Sequence, residues 1–289
     1  VIDVAYVTYS QDADLPRFDV DLDLPVAVDA FADAGLTWEV VAWDDHGFDW
    51  SSVALVVVRS PWDYVPRRRQ FLAWAHDVAS LTRLENPYDV LEHNTDKSYL
   101  RELSDRGVHT VPTGWVATAH EAESVVASVR GVHGPWLVVK PTISAGARDT
   151  IRTDDADTAV AHARAVVATG RVAMVQPYLD AVDEEGETSV LVVDGRLTHA
   201  VRKVPALTEG GGGDASGLVE LTPELRAATT TVLTTAGATD LLYARVDLVR
   251  DASGELALME LELAEPSLFL DLAPHAAVAL AAGVAARLR

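Results

Sequence analysis

The first sixty residues alternate two kinds of apolar run, and that alternation restricts the fold more than any other feature. VIDVAYVTY, TWEVVAW and SSVALVVVRS read as strands, while LPVAVDAFADAGL has the three-to-four-residue spacing of an amphipathic helix closed by Gly35. Strands interleaved with helices predict an α/β fold with an open parallel sheet, because a helical crossover is what returns the chain to start a parallel neighbour. RRRQFLAWAHDVASL continues as a helix, and the segment 95–106 is expected to be helical, with Gly107 as its stop.

From Val111 onward strands dominate: TGWVAT, PWLVVKP, RVAMVQPYL, TSVLVVDGRLTHAVRKV, LYARVDLVRD and ELALMELEL. In the fourth of these, Asp194-Gly195 joins two β-rich runs and signals a hairpin. The helices DADTAVAHARAVVAT, TPELRAATTTVLTTAG and the Ala-rich PHAAVALAAGVAARL lie between and after them. A chain of 289 residues exceeds what one core usually fills, so two or three subdomains are expected. Cysteine is absent, which excludes disulfides, thiolate metal sites and a cysteine nucleophile and fits a reducing, cytoplasmic setting. The opening residues lack a basic region, and no apolar run approaches the roughly 18 residues that span a bilayer. With a net charge of −21, a nucleic-acid partner is not expected, because phosphate neutralisation needs a basic surface.

The chemistry concentrates in ALMELELAEPSLFLD, residues 257–271. On a strand, Glu260 and Glu262 share one face and Met259, Leu261 and Leu263 the other. A solvated acidic face and a divalent-metal site both fit that spacing. Asp247 stands thirteen residues before Glu260, and a turn at 251–254 makes a hairpin that would bring the three carboxylates together, where they repel unless a cation neutralises them. Two lysines stand upstream: Lys97 in HNTDKSYL, and Lys140 at the end of PWLVVKP, where snorkelling out of the core competes with phosphate binding. After Lys140 comes TISAGARDT, in which Ser144, Gly146 and their neighbours suit a loop whose amides cover phosphates. There is no GxxxxGK[ST], GxSxG or HExxH pattern, so P-loop, hydrolase and zinc readings have no support.

Taken in order, NTDKSYLRELSDRGVHTVPT, LVVKPTISAGARDT, MVQPYLDAVDEEGETSVLVVDGRLTHAVRKVP, YARVDLV and MELELAEPSLFLD resemble the ATP-grasp superfamily, within it the glutathione-synthetase-like and RimK-like carboxylate ligases. The resemblance covers residues 86–272. VVVRSPWDYVPRRRQFLAWA with NPYDVLEHNTDKSYL narrows it to the subgroup that includes the cycloserine-forming O-ureidoserine cyclo-ligase. It implies a pre-ATP-grasp α/β domain at 1–92, a central ATP-grasp subdomain at 93–175 and a C-terminal subdomain with the metal-binding strands at 176–289. Lys97 and Lys140 would then contact the ATP phosphates, with Ser144 in the covering loop. Gln176 and the backbone of Tyr178 and Leu179 would meet the adenine edge, and Glu187 the ribose. Asp247, Glu260 and Glu262 would hold magnesium, with manganese as an alternative. Many members have Asn where Glu262 stands, so this chain adds a negative charge.

Arg245, Lys203 and Arg202 are the candidates for the transferred phosphoryl group or the substrate carboxylate, against a reading as exposed strand charge; Arg245 shares a face with Asp247. For an amino-acid-like acceptor the candidates are Arg59, Ser60, Trp62 and Asp63 in RSPWDY, at the carboxyl end of a buried strand, together with Ser267. Arg59 suits a carboxylate and Asp63 an ammonium group, while a turn stapled by Trp62 is the competing reading. Glu265 is expected to shape the following turn or the substrate pocket. ALTEGGGGDASG, after Lys203, departs from relatives and reads as a mobile lid or a plain connector.

The implied reaction is activation of a carboxylate as an acyl phosphate by ATP, followed by attack of a nitrogen nucleophile, intermolecular or intramolecular. Two other classes compete: a phosphotransferase that stops at the phosphorylated product, and an ATP-binding module that has lost turnover. A homodimer is compatible with the family, although no segment marks an interface.

Overall fold

The computed structural model describes residues 2–10, 20–203 and 215–289. The expected parallel sheet is built from β1 (Ile2–Thr8), β2 (Trp38–Ala42), β3 (Val53–Ser60) and β4 (Arg83–Glu85) in the order β2-β1-β3-β4. Two helices cover it: α1 (Asp23–Asp33) and α2 (Arg68–Leu81). Alternation sorts the strand residues by face. Val4, Tyr6, Leu55 and Val57 pack with Phe31 of α1, while Ala5, Val7, Val56 and Val58 pack with Phe71 and Val78 of α2. Burial on both faces is why the Val run of β3 carries no polar alternation until Arg59.

Helices α3 (Tyr88–Asn94) and α4 (Tyr99–Asp105) follow. The helix expected over 95–106 therefore starts late. Residues 95–98 turn instead, with the Ser98 N–H on the Asp96 carboxylate (3.0 Å) and the Lys97 N–H donated to Thr142 O (2.8 Å). That tertiary bond outcompetes local helix propensity and fixes Lys97 beside the second sheet. Gly107, at φ +89°, ends the segment as expected.

The second sheet contains β5 (Gly114–Val116), β6 (Leu137–Pro141), β7 (Ile151–Thr153) and β8 (Ala173–Pro177), antiparallel in the order β5-β8-β6-β7. Its helices α5 (Ala122–His133) and α6 (Ala156–Ala168) share one apolar layer with it. The division expected between residues 175 and 176 falls inside β8. After α7 (Ala181–Glu184), the third sheet is antiparallel, with β9 (Glu187–Val193), β10 (Arg196–Lys203), β11 (Ala215–Val219), β12 (Tyr243–Arg250) and β13 (Leu256–Glu262) in the order β11-β10-β9-β12-β13. Asp194 and Gly195 both have positive φ (+50° and +70°), the conformation that the right-twisted β9–β10 hairpin needs at its two turn residues. The last helices are α8 (Pro223–Ala236) and α9 (Pro274–Arg287). The Gly210–Gly213 stretch expected as a lid or connector lies outside the described residues. No helix among the described residues is long and apolar enough to cross a membrane.

Two features join the N-terminal sheet to the third sheet. Helix α9 packs on α1, and its Leu280 and Val284 share one core with Tyr6, Phe31, Leu191 and Tyr243. Asn86 is fully buried and makes three bonds across the junction: Nδ2 donates to Tyr243 O (2.9 Å) and Leu263 O (2.7 Å), and Oδ1 accepts from Leu242 N (3.1 Å). The outer edge of β13 is covered rather than left open. Leu261 N donates to the Tyr99 hydroxyl (3.0 Å), Leu263 N to Asn94 Oδ1 (2.7 Å) and Leu258 N to His109 O (2.8 Å). Asn86→Ala would leave three buried backbone groups unpaired at about 1 kcal/mol each. A loss of about 3 kcal/mol is expected in urea unfolding, with no change in far-ultraviolet dichroism of the native state.

Candidate active site

The hairpin of β12 and β13 pairs Asp247 directly with Glu260 and Arg245 with Glu262. Because the four residues sit at even spacing on adjacent strands, all four side chains project from one face. Ligand oxygens of Asp247, Glu260 and Glu262 lie within 4.8 Å of one another. The cluster borders a cavity of about 620 Å³ between the second and third sheets, with the N-terminal domain closing one end.

Cations surround this cluster. Lys97 Nζ lies 3.0 Å from Glu260 Oε1 and donates to Ser144 O (2.6 Å), so it ties β13 to the loop after β6. Lys203, the last residue of β10, bridges Glu187 and Asp247 at 3.0 Å each. Arg245 donates through Nε and Nη2 to both oxygens of Asp247 (3.0 and 3.1 Å) and also pairs with Glu262. Lys140, from β6, also lines the cavity and has no hydrogen bond or ion pair among the described residues. Burial pushes its ammonium below the usual lysine range, and the nearby Glu260 only partly compensates.

Burial raises every carboxyl in the cluster, and the neighbours decide the outcome. At Asp247, Arg245 and Lys203 outweigh burial and hold the group well below the usual range, and Ser189 Oγ adds a donor at 2.6 Å. Glu260 is also held down, by Lys97 and Lys140. Glu262 is pushed up, since burial and the two neighbouring carboxylates exceed the help of Arg245. Glu265, which accepts a hydrogen bond from Tyr64, is raised by burial to about 7. The protein's own cations thus leave one of three clustered carboxyls favouring its proton. Such an oxygen set fits a hard divalent cation, which would complete the neutralisation.

The residues expected at the nucleotide end come together: Ser144, Gln176, Tyr178, Leu179 and Glu187 all line the same cavity as the lysines. Gln176 donates Nε2 to Thr113 Oγ1 (2.8 Å), which orients its amide. The Tyr178 N–H is already donated to Trp136 O (2.9 Å), which leaves the Tyr178 carbonyl and the Leu179 N–H as the backbone groups for an adenine edge. In the loop after Ser144, Gly146, Ala147 and Asp149 all have positive φ (+59°, +55° and +55°), an irregular backbone suited to close approach by a ligand.

Other expected residues are placed elsewhere. Arg202 precedes Lys203 and so points to the opposite face of β10, where it donates to Glu185 O and borders a separate groove. Arg59 is 1 % exposed, stacks on Tyr243 and bonds to Asp23 and Pro266 O, so it does not reach the cavity. Ser60 Oγ donates to Asp21 (2.6 Å), and Asp63 is fully buried under Trp43 Nε1 (2.8 Å) and Arg67. These three RSPWDY positions are internal struts. Trp62 and Ser267 do line the cavity. Tyr64, the last residue of RSPWDY, lines it as well, and so do Asp21, Phe269 and Asp271, which nothing in the sequence had marked. Asp21 sits among ordinary loop residues, and Phe269 reaches the cavity through a positive φ (+51°) that no pattern of residue types announces.

With this geometry in view, known proteins give a consistent picture. Residues 4–86 match the family model for the N-terminal domain of D-cycloserine synthetase DcsG, and residues 108–264 match that for the prokaryotic glutathione synthetase ATP-grasp domain. The cycloserine biosynthesis protein DcsG of Streptomyces lavendulae is 33 % identical over 290 residues, covering 93 % of this chain and 95 % of that protein. The crystal structure of D-cycloserine synthetase DcsG superposes with a TM-score of 0.89 at 33 % identity, covering 99 % of both chains. The macrocyclase MdnC of Microcystis aeruginosa, bound with its precursor peptide MdnA, superposes at 0.66 with 14 % identity over 99 % of this chain and 100 % of its own, a likeness of fold alone. The chain belongs to the ATP-grasp family and is an ATP-dependent, ADP-forming ligase that makes carbon–nitrogen bonds.

Proposed function

We propose that this ligase activates the carboxylate of a small amino-acid-like substrate and closes it onto a nitrogen of the same molecule, as a cyclo-ligase. The observation that carries this reading is the composition of the cavity wall. The N-terminal domain, matched to the DcsG N-terminal family model, supplies Asp21, Trp62 and Tyr64 to the cavity. The likeness to DcsG therefore includes the part of the cavity wall that the N-terminal domain supplies, where an acceptor would sit. Consumption of ATP supports a cytoplasmic setting.

Lys97, Lys140 and Lys203 would neutralise the phosphates, with the backbone around Ser144 closing over them. Asp247, Glu260 and Glu262 would hold magnesium, or manganese with the same oxygen preference. Magnesium there supplies charge neutralisation for the phosphoryl groups. Arg245, anchored on Asp247 and Glu262, holds its guanidinium at the junction of the two ends of the cavity. In the first step a carboxylate oxygen attacks the γ-phosphorus and ADP leaves. In the second, the substrate nitrogen attacks the acyl carbon, phosphate leaves and the nitrogen loses a proton. No protein nucleophile is needed, so catalysis rests on positioning and electrostatics.

Purified protein with ATP, magnesium and O-ureidoserine is expected to release ADP and phosphate and to yield a cyclised product by mass spectrometry. A panel of amino acids and other O-substituted serines ranks the alternatives, and a stable phosphorylated product would instead indicate a phosphotransferase. Glu260→Gln is expected to lower turnover by roughly 100-fold or more, since it removes a charged ligand from the centre of the cluster. Lys140→Met should have two opposite effects. The KM for ATP rises about tenfold through loss of a charge-assisted contact, while the ligand-free protein melts at a higher temperature because a half-buried ammonium without an ion pair is gone.

A further inference from the structure

Resting on that reading, we propose that the buried Asp23–Arg59 pair is the positioning device for acceptor recognition, holding segment 265–272 as the acceptor wall of the cavity. Glu265, Ser267, Phe269 and Asp271 all line the cavity from this segment. No regular element supports the segment, which lies between β13 and α9. Its supports come from elsewhere. Asp23, 3 % exposed at the start of α1, accepts Leu268 N on Oδ2 (2.5 Å) and Leu270 N on Oδ1 (2.8 Å). Arg59 Nη2 donates to Pro266 O (2.6 Å) and pairs with Asp23 at 3.3 Å.

The geometry explains Phe269. Two amide N–H groups flanking one residue converge on a single carboxylate when the residue between them turns into the left-handed region, a concave arrangement of main-chain donors that binds anions. Asp23 is that anion, and Phe269 takes φ +51°. A bulky residue adopts this conformation only where its surroundings over-determine it. The consequence reaches the reacting end of the site, because the Arg245 guanidinium lies 5.9 Å from the centre of the Phe269 ring. Trp62 Nε1 on Glu265 O (3.1 Å) and His199 Nε2 at Leu268 O (3.0 Å) hold the same segment from its two sides.

The pair is poorly built for stability alone. Arg59 Nε and Nη1 are buried with no hydrogen-bond partner, and a buried ion pair recovers its desolvation cost only when such groups are satisfied. What the pair provides is a defined shape for a segment that lacks secondary structure. The N-terminal domain thereby shapes the acceptor end through backbone geometry, and neither Asp23 nor Arg59 makes a hydrogen bond or ion pair with β6, β8 or β10 among the described residues.

The test uses Asp23→Asn and the double variant Asp23→Asn/Arg59→Met. Asn puts an NH2 donor where one of the two accepting oxygens of Asp23 stands, so one N–H loses its acceptor, and the double variant removes the pair without leaving a buried charge unpaired, so it stays folded if the single variant does not. Amide hydrogen exchange at Leu268 and Leu270 is expected to accelerate at least tenfold. With the panel acceptor that wild type turns over fastest, acceptor KM should rise at least tenfold while the KM for ATP stays within twofold. Unchanged exchange at the two amides, or a KM for ATP that rises as much as that of the acceptor, overturns the proposal. A wild-type protein that turns over no acceptor refutes the cyclo-ligase reading instead, and the exchange measurement then still decides whether the pair holds the segment.

Discussion

The pairing of Asp247 with Glu260 across the last hairpin is the contact on which the rest of the structure depends. It places two carboxylates side by side in a partly enclosed cavity, and Glu262 adds a third. In a low-dielectric setting such a group of like charges destabilises itself, so the surrounding architecture must bring cations to it. The fold does so from three directions. Lys97 arrives from the turn before α4, Lys203 from the end of β10 and Arg245 from β12 itself. Each lies at a strand end, within a strand or in a tertiary-bonded turn, and so has a fixed position before any ligand binds.

That arrangement also gives a physical account of how the site is tuned for phosphate and metal. Two of the carboxyls are fully engaged by the protein's own cations, while Glu262 retains a preference for its proton. Lys140 is the complementary imbalance, a half-buried ammonium with no paired anion among the described residues and a weakened hold on its charge. A nucleotide polyphosphate with a divalent cation, bound as proposed, would relieve both at once. Stability of the ligand-free protein is thus traded for affinity at the place where catalysis needs preorganised charge.

The N-terminal domain has a different part. Its sheet is an ordinary parallel α/β layer, yet Asn86, Tyr243 and α9 weld it to the third sheet through buried bonds and one continuous core. It reaches the cavity through Asp21, Trp62 and Tyr64, and it shapes the opposing segment through Asp23 and Arg59. In the RSPWDY loop, polar types that look suited to substrate are consumed in this junction. Arg59 and Asp63 would have been free to bind a zwitterion only if the strand end were open to solvent, and both are covered.

Residue types and their spacing were enough, by themselves, to determine the parallel sheet, the Asp194-Gly195 hairpin and the clustering of Asp247, Glu260 and Glu262. In each case the deciding interactions are local: alternation along a strand, φ at a two-residue turn, register across a short hairpin. The order of the lysine, loop and carboxylate segments likewise marked the ATP-grasp family. Tertiary structure alone decided which of two adjacent basic residues, Arg202 or Lys203, faces the cavity. It also decided that 95–98 turns rather than coils into helix, and that Arg59 is a strut while Phe269 is a wall. Those outcomes depend on groups distant in the chain, such as Thr142 for Lys97 and Asp23 for Leu268 and Leu270, competing for the same backbone and side-chain atoms. No local pattern records a competition between segments that meet only when the chain has folded.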